Sequence, residues 1–438
     1  MTPRTIRSVV LLLALAAFVA CACMLPLIWD GGYQLSVSLI QQKAYYYLTR
    51  FHSGLLWQPM VALSKVTDNR MALVFAYGLP FLLAPAVSVA VSWWFVKKDA
   101  PRLAVWAVCG AAVSLPGQAF VINDSVLQHA LAWPVFLGAL VRLSVAQRCV
   151  WLLLAGFQFS HQIGVIVLFC VAFAAWRNGT RGTFVASVVL LLLAVAKVVW
   201  ISVPAWAGVY FDSYAAQEAS LASALFAFAT GVFGLPLIGL VLLWLAGAKF
   251  SQTDADETRY WKWALGGLAA WIVWSLIPPF WASAINYRRW IIPLAVPFFW
   301  LALADARRTN TVTSRWRDRL GLAIAVTFFI VITAQSVAWR AQLGGLLSEL
   351  RLSTKAVVSA KELPSLKGSQ LDHWGITTTV MFMQGKAPAQ YLAYDDESLA
   401  AISREPHQIP LWKPHLVSPE PGAEGWFDHR PLVKRMGE

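Results

Sequence analysis

Residues 7–33 read RSVVLLLALAAFVACACMLPLIWDGGY. Arg4 and Arg7 ahead of an apolar run that passes Ala20-Cys21-Ala22-Cys23 imitate a cleaved secretory or lipoprotein signal. The run continues through Met24 to Trp29, however, and about twenty apolar residues cross a hydrocarbon core of about 30 Å, whereas a signal core is shorter. Val9 to Trp29 is therefore read as a first transmembrane helix. It ends on Asp30-Gly31-Gly32-Tyr33, a carboxylate on a turn whose two glycines let the backbone bend sharply. The polar, aromatic stretch from Trp29 to Arg70 then reads as an external platform. Gln34 to Val66 is long enough for one or two helices along the bilayer surface, and Tyr45, Tyr46, Tyr47 and Trp57 suit the headgroup level.

Composition extends this reading to the whole chain. Of 438 residues 58% are hydrophobic and 13% charged, about half the charged share of a soluble globule, and mean hydropathy is positive. The formal charge of +13 would suit nucleic acid only if it formed a basic face on a soluble domain. Its placement is topological instead, so no nucleic-acid partner is expected. The five cysteines lie in or beside apolar runs without metal-ligand spacing, which argues against a disulfide framework.

Further spans are expected near Met71 to Phe95, Leu103 to Pro116, Leu131 to Leu143, Phe184 to Val203, Leu221 to Ala248, Ala264 to Ile277, Trp290 to Ala304 and Leu320 to Ala338. Cys149 to Trp176 is long for one span, is broken at Ser160-His161-Gln162, and has arginines at both flanks. Two short helices folded back to one side satisfy those flanks. The fold class is thus an all-α polytopic membrane protein of about eleven transmembrane helices. Arg4, Arg7, Lys97, Lys98, Arg102, Arg142, Arg148, Arg177, Arg181, Lys249, Arg259, Lys262, Arg307, Arg308, Arg315, Arg317 and Arg319 fall on the side of the N-terminus, against Lys43, Arg50, Lys65, Arg70, Arg288 and Arg289 in the opposite loops, which puts that terminus inside. Loops 30–70, 117–130, 204–220 and 278–289 then face out, as does a small C-terminal α+β domain over 339–438, following a transmembrane domain over 1–338. In that domain Ala341 to Leu363 reads as a helix and Trp374 to Phe382 as a strand.

The outer face collects Asp30; Asn123, Asp124 and His129; Asp212 and Glu218; and Tyr287, Arg288 and Arg289. Lys197 sits near the outer end of an apolar run, where an ionisable group has a partner or lines a wet cavity by default. Two guanidinium groups hold a phosphate or diphosphate through paired donors, an ammonium adds a point charge, and a carboxylate activates an incoming hydroxyl. This set suits transfer of a group from a lipid phosphate, a donor that is available on the outer face.

An acidic residue directly after helix 1, a long amphipathic first loop, an acid in the second outer loop, an Arg-bearing loop before a late helix and an outer C-terminal part together resemble the GT-C superfamily of polyprenyl-phosphate-sugar-dependent glycosyltransferases. The resemblance implies that Asp30 is the catalytic base and Asp124 the second-loop acid, with the late basic loop at Arg288 and Arg289. It further implies an inverting transfer on the periplasmic side of a bacterial inner membrane. The donor would be a polyprenyl-phosphate sugar and the acceptor a glycan, lipid or protein, in contact with membrane lipids. Many members carry an adjacent acidic pair in the first loop; here glycines follow Asp30, so base assignment and metal use both stay open. No cofactor is expected beyond an optional divalent cation, because no His, Cys or carboxylate cluster has metal-ligand spacing.

Plainer readings stand beside these. Asp30 also suits an interfacial turn, Asn123-Asp124-Ser125 a helix cap, Arg288, Arg289 and Lys197 headgroup snorkelling, and His161 a hydrogen-bonded spacer. The Trp-rich stripes, Trp93, Trp94, Trp271 and Trp274 among them, read as membrane packing. The alternative functions are an O-antigen ligase or polymerase, a lipid or polysaccharide transporter, and a non-catalytic assembly subunit.

Overall fold

Two apolar helices far apart in sequence form the axis of the protein. α1 (Pro3–Ala22) and α11 (Arg315–Leu352) pack side by side. The Thr2 amide donates to Asp318 Oδ1 at 2.7 Å, and Trp339 Nε1 donates to the Met24 carbonyl at 3.0 Å. Polar ties at both ends in the same order mean that the helices run parallel. From 318 to 339 is about twenty-one residues, or ~32 Å at 1.5 Å per residue, close to a hydrocarbon core.

The computed structural model describes residues 1–28, 30–44, 54–118, 122, 124–160, 164–178, 181–202, 295–296, 298–306, 315–366, 371, 375–386, 388, 390–394 and 399–400. These are mostly helical. Among them, Pro3–Ala22, Arg181–Ile201 and Arg317–Leu352 are long and apolar enough to cross a membrane, and a fourth span results if α4 (Arg70–Leu82) and α5 (Ala84–Val96), bent by 40°, count as one. Pro80 inside α4 and Pro85 in the first turn of α5 remove backbone donors at that bend. The expected spans at Leu221 to Ala248 and Ala264 to Ile277 lie outside the described residues.

α6 (Ala104–Gln118), α7 (Asp124–Ala139), α8 (Val145–Phe157) and α9 (Gly164–Arg177) are shorter apolar helices. α7 and α8 run antiparallel: Trp151 Nε1 donates to the Val135 carbonyl at 2.7 Å, and Gln128 Nε2 to the Gln158 carbonyl at 2.5 Å. A capping box at Ser144 and Gln147 starts α8, and Gln147 Nε2 also reaches the Trp94 carbonyl at 2.8 Å. Beyond a 3₁₀ turn at Gln158–Ser160 the chain returns through α9, where Phe173 meets Trp300 edge-on at 4.7 Å. Trp94 and Trp300 both lie toward the Asp305 end of the bundle, so α8 and α9 form a hairpin that enters and leaves at that end, in agreement with the expectation for Cys149 to Trp176. α10 (Arg181–Lys197) packs on α9 and continues into a π-helical turn at Val198–Ser202.

The Asp305 end is closed by a buried ionic knot. Asp305 Oδ1 accepts from Arg317 at 3.1 Å and its Oδ2 from Trp106 Nε1 at 3.0 Å, while Arg102 donates to the Asp305 carbonyl at 3.2 Å. Asp305 is 4% exposed and Arg317 6%. Buried charges persist only when paired and hydrogen-bonded in this way.

The C-terminal segment departs from expectation. α11 runs unbroken across 338–339 and ends at Leu352, so helix and tail are one element. A parallel pair follows, β1 (Val357–Ser359) with β2 (Tyr391–Ala393), in the register Val357↔Tyr391. Between them α12 (Ile376–Gln384) replaces the expected strand. Its threonines favour strands, but propensity yields to context. Thr378 Oγ1 bonds the Gly375 carbonyl at 2.9 Å, Thr377 Oγ1 the Leu392 carbonyl at 2.8 Å, and all residues from Ile376 to Phe382 are buried. Gln390 Nε2 donates to the Leu350 and Ser353 carbonyls at 2.7 and 3.0 Å, covering the open end of α11.

The first part of the expected surface platform is buried, whereas 55–70 keeps exposed residues such as Leu55 and Val66, and Tyr45, Tyr46 and Tyr47 lie outside the described residues. α2 (Asp30–Gln41) packs against α12, with Tyr33, Leu35, Ser36, Val37, Ser38, Leu39 and Ile40 all inside. Trp57, just before α3 (Gln58–Ser64), stacks on Phe81 at 5.7 Å and is 4% exposed, so it is a core residue rather than a headgroup anchor.

Candidate active site at the start of α2

α1 stops at Ala22 because Met24 takes a left-handed backbone, φ 62°, and Pro26 follows without an N–H. A non-glycine residue in that region carries strain, and the Trp339 bond to the Met24 carbonyl holds it there. Leu25–Leu27 then form a 3₁₀ turn, and α2 begins at Asp30. The first span therefore ends earlier than Trp29. The first position of a helix is also where its dipole favours a negative charge.

The glycines serve close approach rather than a sharp turn. The Gly31 amide bonds the Ile28 carbonyl at 3.0 Å. A Cβ on Gly31 would lie 1.9 Å from the Pro26 carbonyl oxygen and 3.7 Å from Ile122 Cγ1; one on Gly32 would lie 2.2 Å from Thr379 Oγ1 and 2.6 Å from the Leu27 carbonyl oxygen. Three segments thus converge on the first turn of α2: the 3₁₀ turn, Ile122 just ahead of α7, and α12. Ile122 stands two residues before Asp124, which opens α7. The starts of α2 and α7, each with an acidic residue in first position, are brought into one neighbourhood. One helical turn along α2, Gln34 Oε1 accepts from Tyr77 at 3.2 Å, and Tyr77 lies against Trp57 with ring centroids 5.6 Å apart.

The other expected site residues are placed differently. The second outer loop is short, because α6 reaches Gln118 and α7 starts at Asp124. His129 is therefore not in a loop. It is 1% exposed within α7, with Nε2 2.9 Å from the Gly110 carbonyl, and the absent Gly110 side chain leaves room for Trp133 beside it. Lys197, at the end of α10, sets its ammonium on the Phe159 carbonyl at the hairpin tip, where a cation complements the carbonyl end of α8. Tyr287, Arg288, Arg289, Asp212, Glu218 and His161 lie outside the described residues. Among the described residues no group of three His, Cys, Asp or Glu could hold a metal ion.

Sequence reading misses Thr379, Ile122 and Trp339. They lie up to about 350 residues from the turn they hold, and nothing local in the sequence marks them. No known protein family matches the chain, and neither the curated proteins nor the solved structures give a match.

Proposed function

We propose that this protein is an integral membrane glycosyltransferase of GT-C type that moves a sugar from a polyprenyl-phosphate donor to an acceptor on the periplasmic side of a bacterial inner membrane. The observation that supports the reading is that Ile122, two residues before Asp124, lies beside Gly31, the residue after Asp30, at the end of the bundle away from the Asp305 knot. The turns at 97–102 and 140–144 and the α9–α10 connection, which carry much of the basic set, belong to the knot end. By the positive-inside rule that end is cytoplasmic.

In the proposed reaction, Asp30 takes the proton of an acceptor hydroxyl while its oxygen bonds to the anomeric carbon. The bond from that carbon to the phosphate oxygen breaks, and polyprenyl phosphate leaves with the electron pair. Arg288 and Arg289, with Tyr287 beside them, hold the phosphate through charge-assisted donors, and Asp124 orients the acceptor. One displacement inverts the anomeric centre. The test is complementation of a deletion strain with Asp30→Asn, following surface glycans and membrane abundance together. Glycan loss at normal abundance is expected, and unchanged glycan would overturn the reading, as would retention of anomeric configuration in the product.

A lipid or polysaccharide transporter is the second reading, favoured by the α8–α9 hairpin, since broken helices within the bilayer mark many transporter sites. That reading expects Asp30→Asn to be tolerated and disruption of the hairpin tip to abolish export.

A further inference from the structure

We infer that Thr379 is a positioning residue for Asp30, so that α12 is a working wall of the candidate site and not an appendage. The inference rests on the transferase reading above and adds a residue from the opposite end of the chain to it.

Thr379 is fully buried, and its hydroxyl has one proton to give. Oγ1 lies 2.9 Å from the Leu27 carbonyl and 3.2 Å from the Gly375 carbonyl, the second being the ordinary back-bond of a threonine to its own helix. The shorter contact leaves α12 altogether and ends on the last residue of the 3₁₀ turn. Within that turn the Met24 and Leu25 carbonyls accept from the Leu27 and Ile28 amides, and a buried carbonyl left without a donor is costly. The same hydroxyl lies against Gly32, where any side chain would strike it. One oxygen atom therefore serves both flanks of Asp30, bonding the carbonyl three residues before it and filling the space a side chain would take two residues after it.

A second tie fixes the direction of α2: Ser36 Oγ donates to the Thr378 carbonyl at 3.3 Å. Arg70 donates to the Met383 carbonyl, and Lys386 pairs with Asp68 at 2.6 Å on the surface. α12 is thus tied to the chain around Asp30 through Thr379 and Thr378, and at its C-terminal end to residues 68–70 at the start of α4. The surface pair adds little, whereas the buried hydroxyl sets the backbone that carries the carboxylate. Catalytic groups need placement to within a fraction of an ångström, and misplacement by about 1 Å costs up to about a hundredfold in rate.

The deciding comparison is Thr379→Ser against Thr379→Ala, which differ by one oxygen atom. Both are expressed in the deletion strain beside Asp30→Asn, with glycan output measured per molecule of membrane-inserted protein and thermal unfolding measured in detergent. The expected result is output near wild type for Thr379→Ser and a loss of about tenfold or more for Thr379→Ala, beyond what its abundance explains. Equal output from the serine and alanine variants overturns the positioning role. If that equality coincides with loss in Asp30→Asn, the transferase reading stands and only Thr379 drops out. Full output from Asp30→Asn removes the carboxylate chemistry and with it the role given to Thr379.

Discussion

At the scale of single residues, Gly31 and Gly32 explain why a helix can start directly beneath another chain segment. The pair Gly-Gly after an acid reads equally well as a bend or as a close approach, because a sequence lists the glycines and not what lies over them. Here a Cβ at Gly31 has 1.9 Å to the Pro26 carbonyl oxygen, and backbone must move. Gly31→Ala is expected to destabilise the protein by about 1–3 kcal/mol through overpacking and to lower its unfolding temperature in detergent. Gly344 and Gly345, on α11 beyond Trp339, are exposed, and a methyl group added at either would meet nothing within 4 Å. Gly345→Ala is expected to stabilise by about 0.5–1 kcal/mol, since alanine loses less backbone freedom in a helix. Opposite signs in one unfolding assay support the close-approach account, and equal signs would sink it.

At the scale of elements, legibility follows how local the signal is. The α8–α9 hairpin is readable because a polar break interrupts an apolar run and arginines stand at both flanks. The span in α10 is readable from length and hydropathy alone, and Arg181–Ile201 meets it closely. By contrast α12 is hidden, because Ile376 to Val380 has strand-like composition and only contacts with Leu27, Gly375 and Leu392 make a helix of it. α2 misleads for the same reason: its polar residues suit a bilayer surface until α12 packs over the helix. The hairpin supplies its own prediction. A Cβ on Gly164 would lie 1.9 Å from the Gln158 carbonyl oxygen and 2.7 Å from Gln128 Nε2, so Gly164→Ala forces the two arms apart at their tip. Faster hydrogen exchange confined to residues 158–168 is expected, by mass spectrometry, with α1 and α11 unchanged. Exchange spread over the whole bundle would mean that the hairpin is not a separate unit.

At the scale of the whole molecule, α11 joins the two ends that differ most in character. Its start enters the Asp305 knot, its middle matches the length of α1 between two polar ties, and its last turns carry the β1–α12–β2 unit back over α2. Truncation after Leu352 would therefore uncover the buried side of α2 and strip the donor from the Leu27 carbonyl, whatever the function. Loss of activity in such a truncation cannot separate an enzyme from an assembly subunit, which is why single-atom variants carry the functional test. The knot at the other end makes a prediction about the scaffold alone. Asp305→Asn keeps the shape and the acceptor for Trp106 but removes the carboxylate charge that the nearly buried Arg317 and Arg102 share. Breaking one side of a buried pair costs about 3–5 kcal/mol, whereas replacing both sides with apolar groups of similar size is often close to neutral. In a double-mutant cycle, the loss from Asp305→Leu with Arg317→Met together is expected to be smaller than the sum of the losses from the two single changes. Additive losses would show that the two charges act separately, and that α11 is anchored at this end by packing against α1 and α6 rather than by the knot.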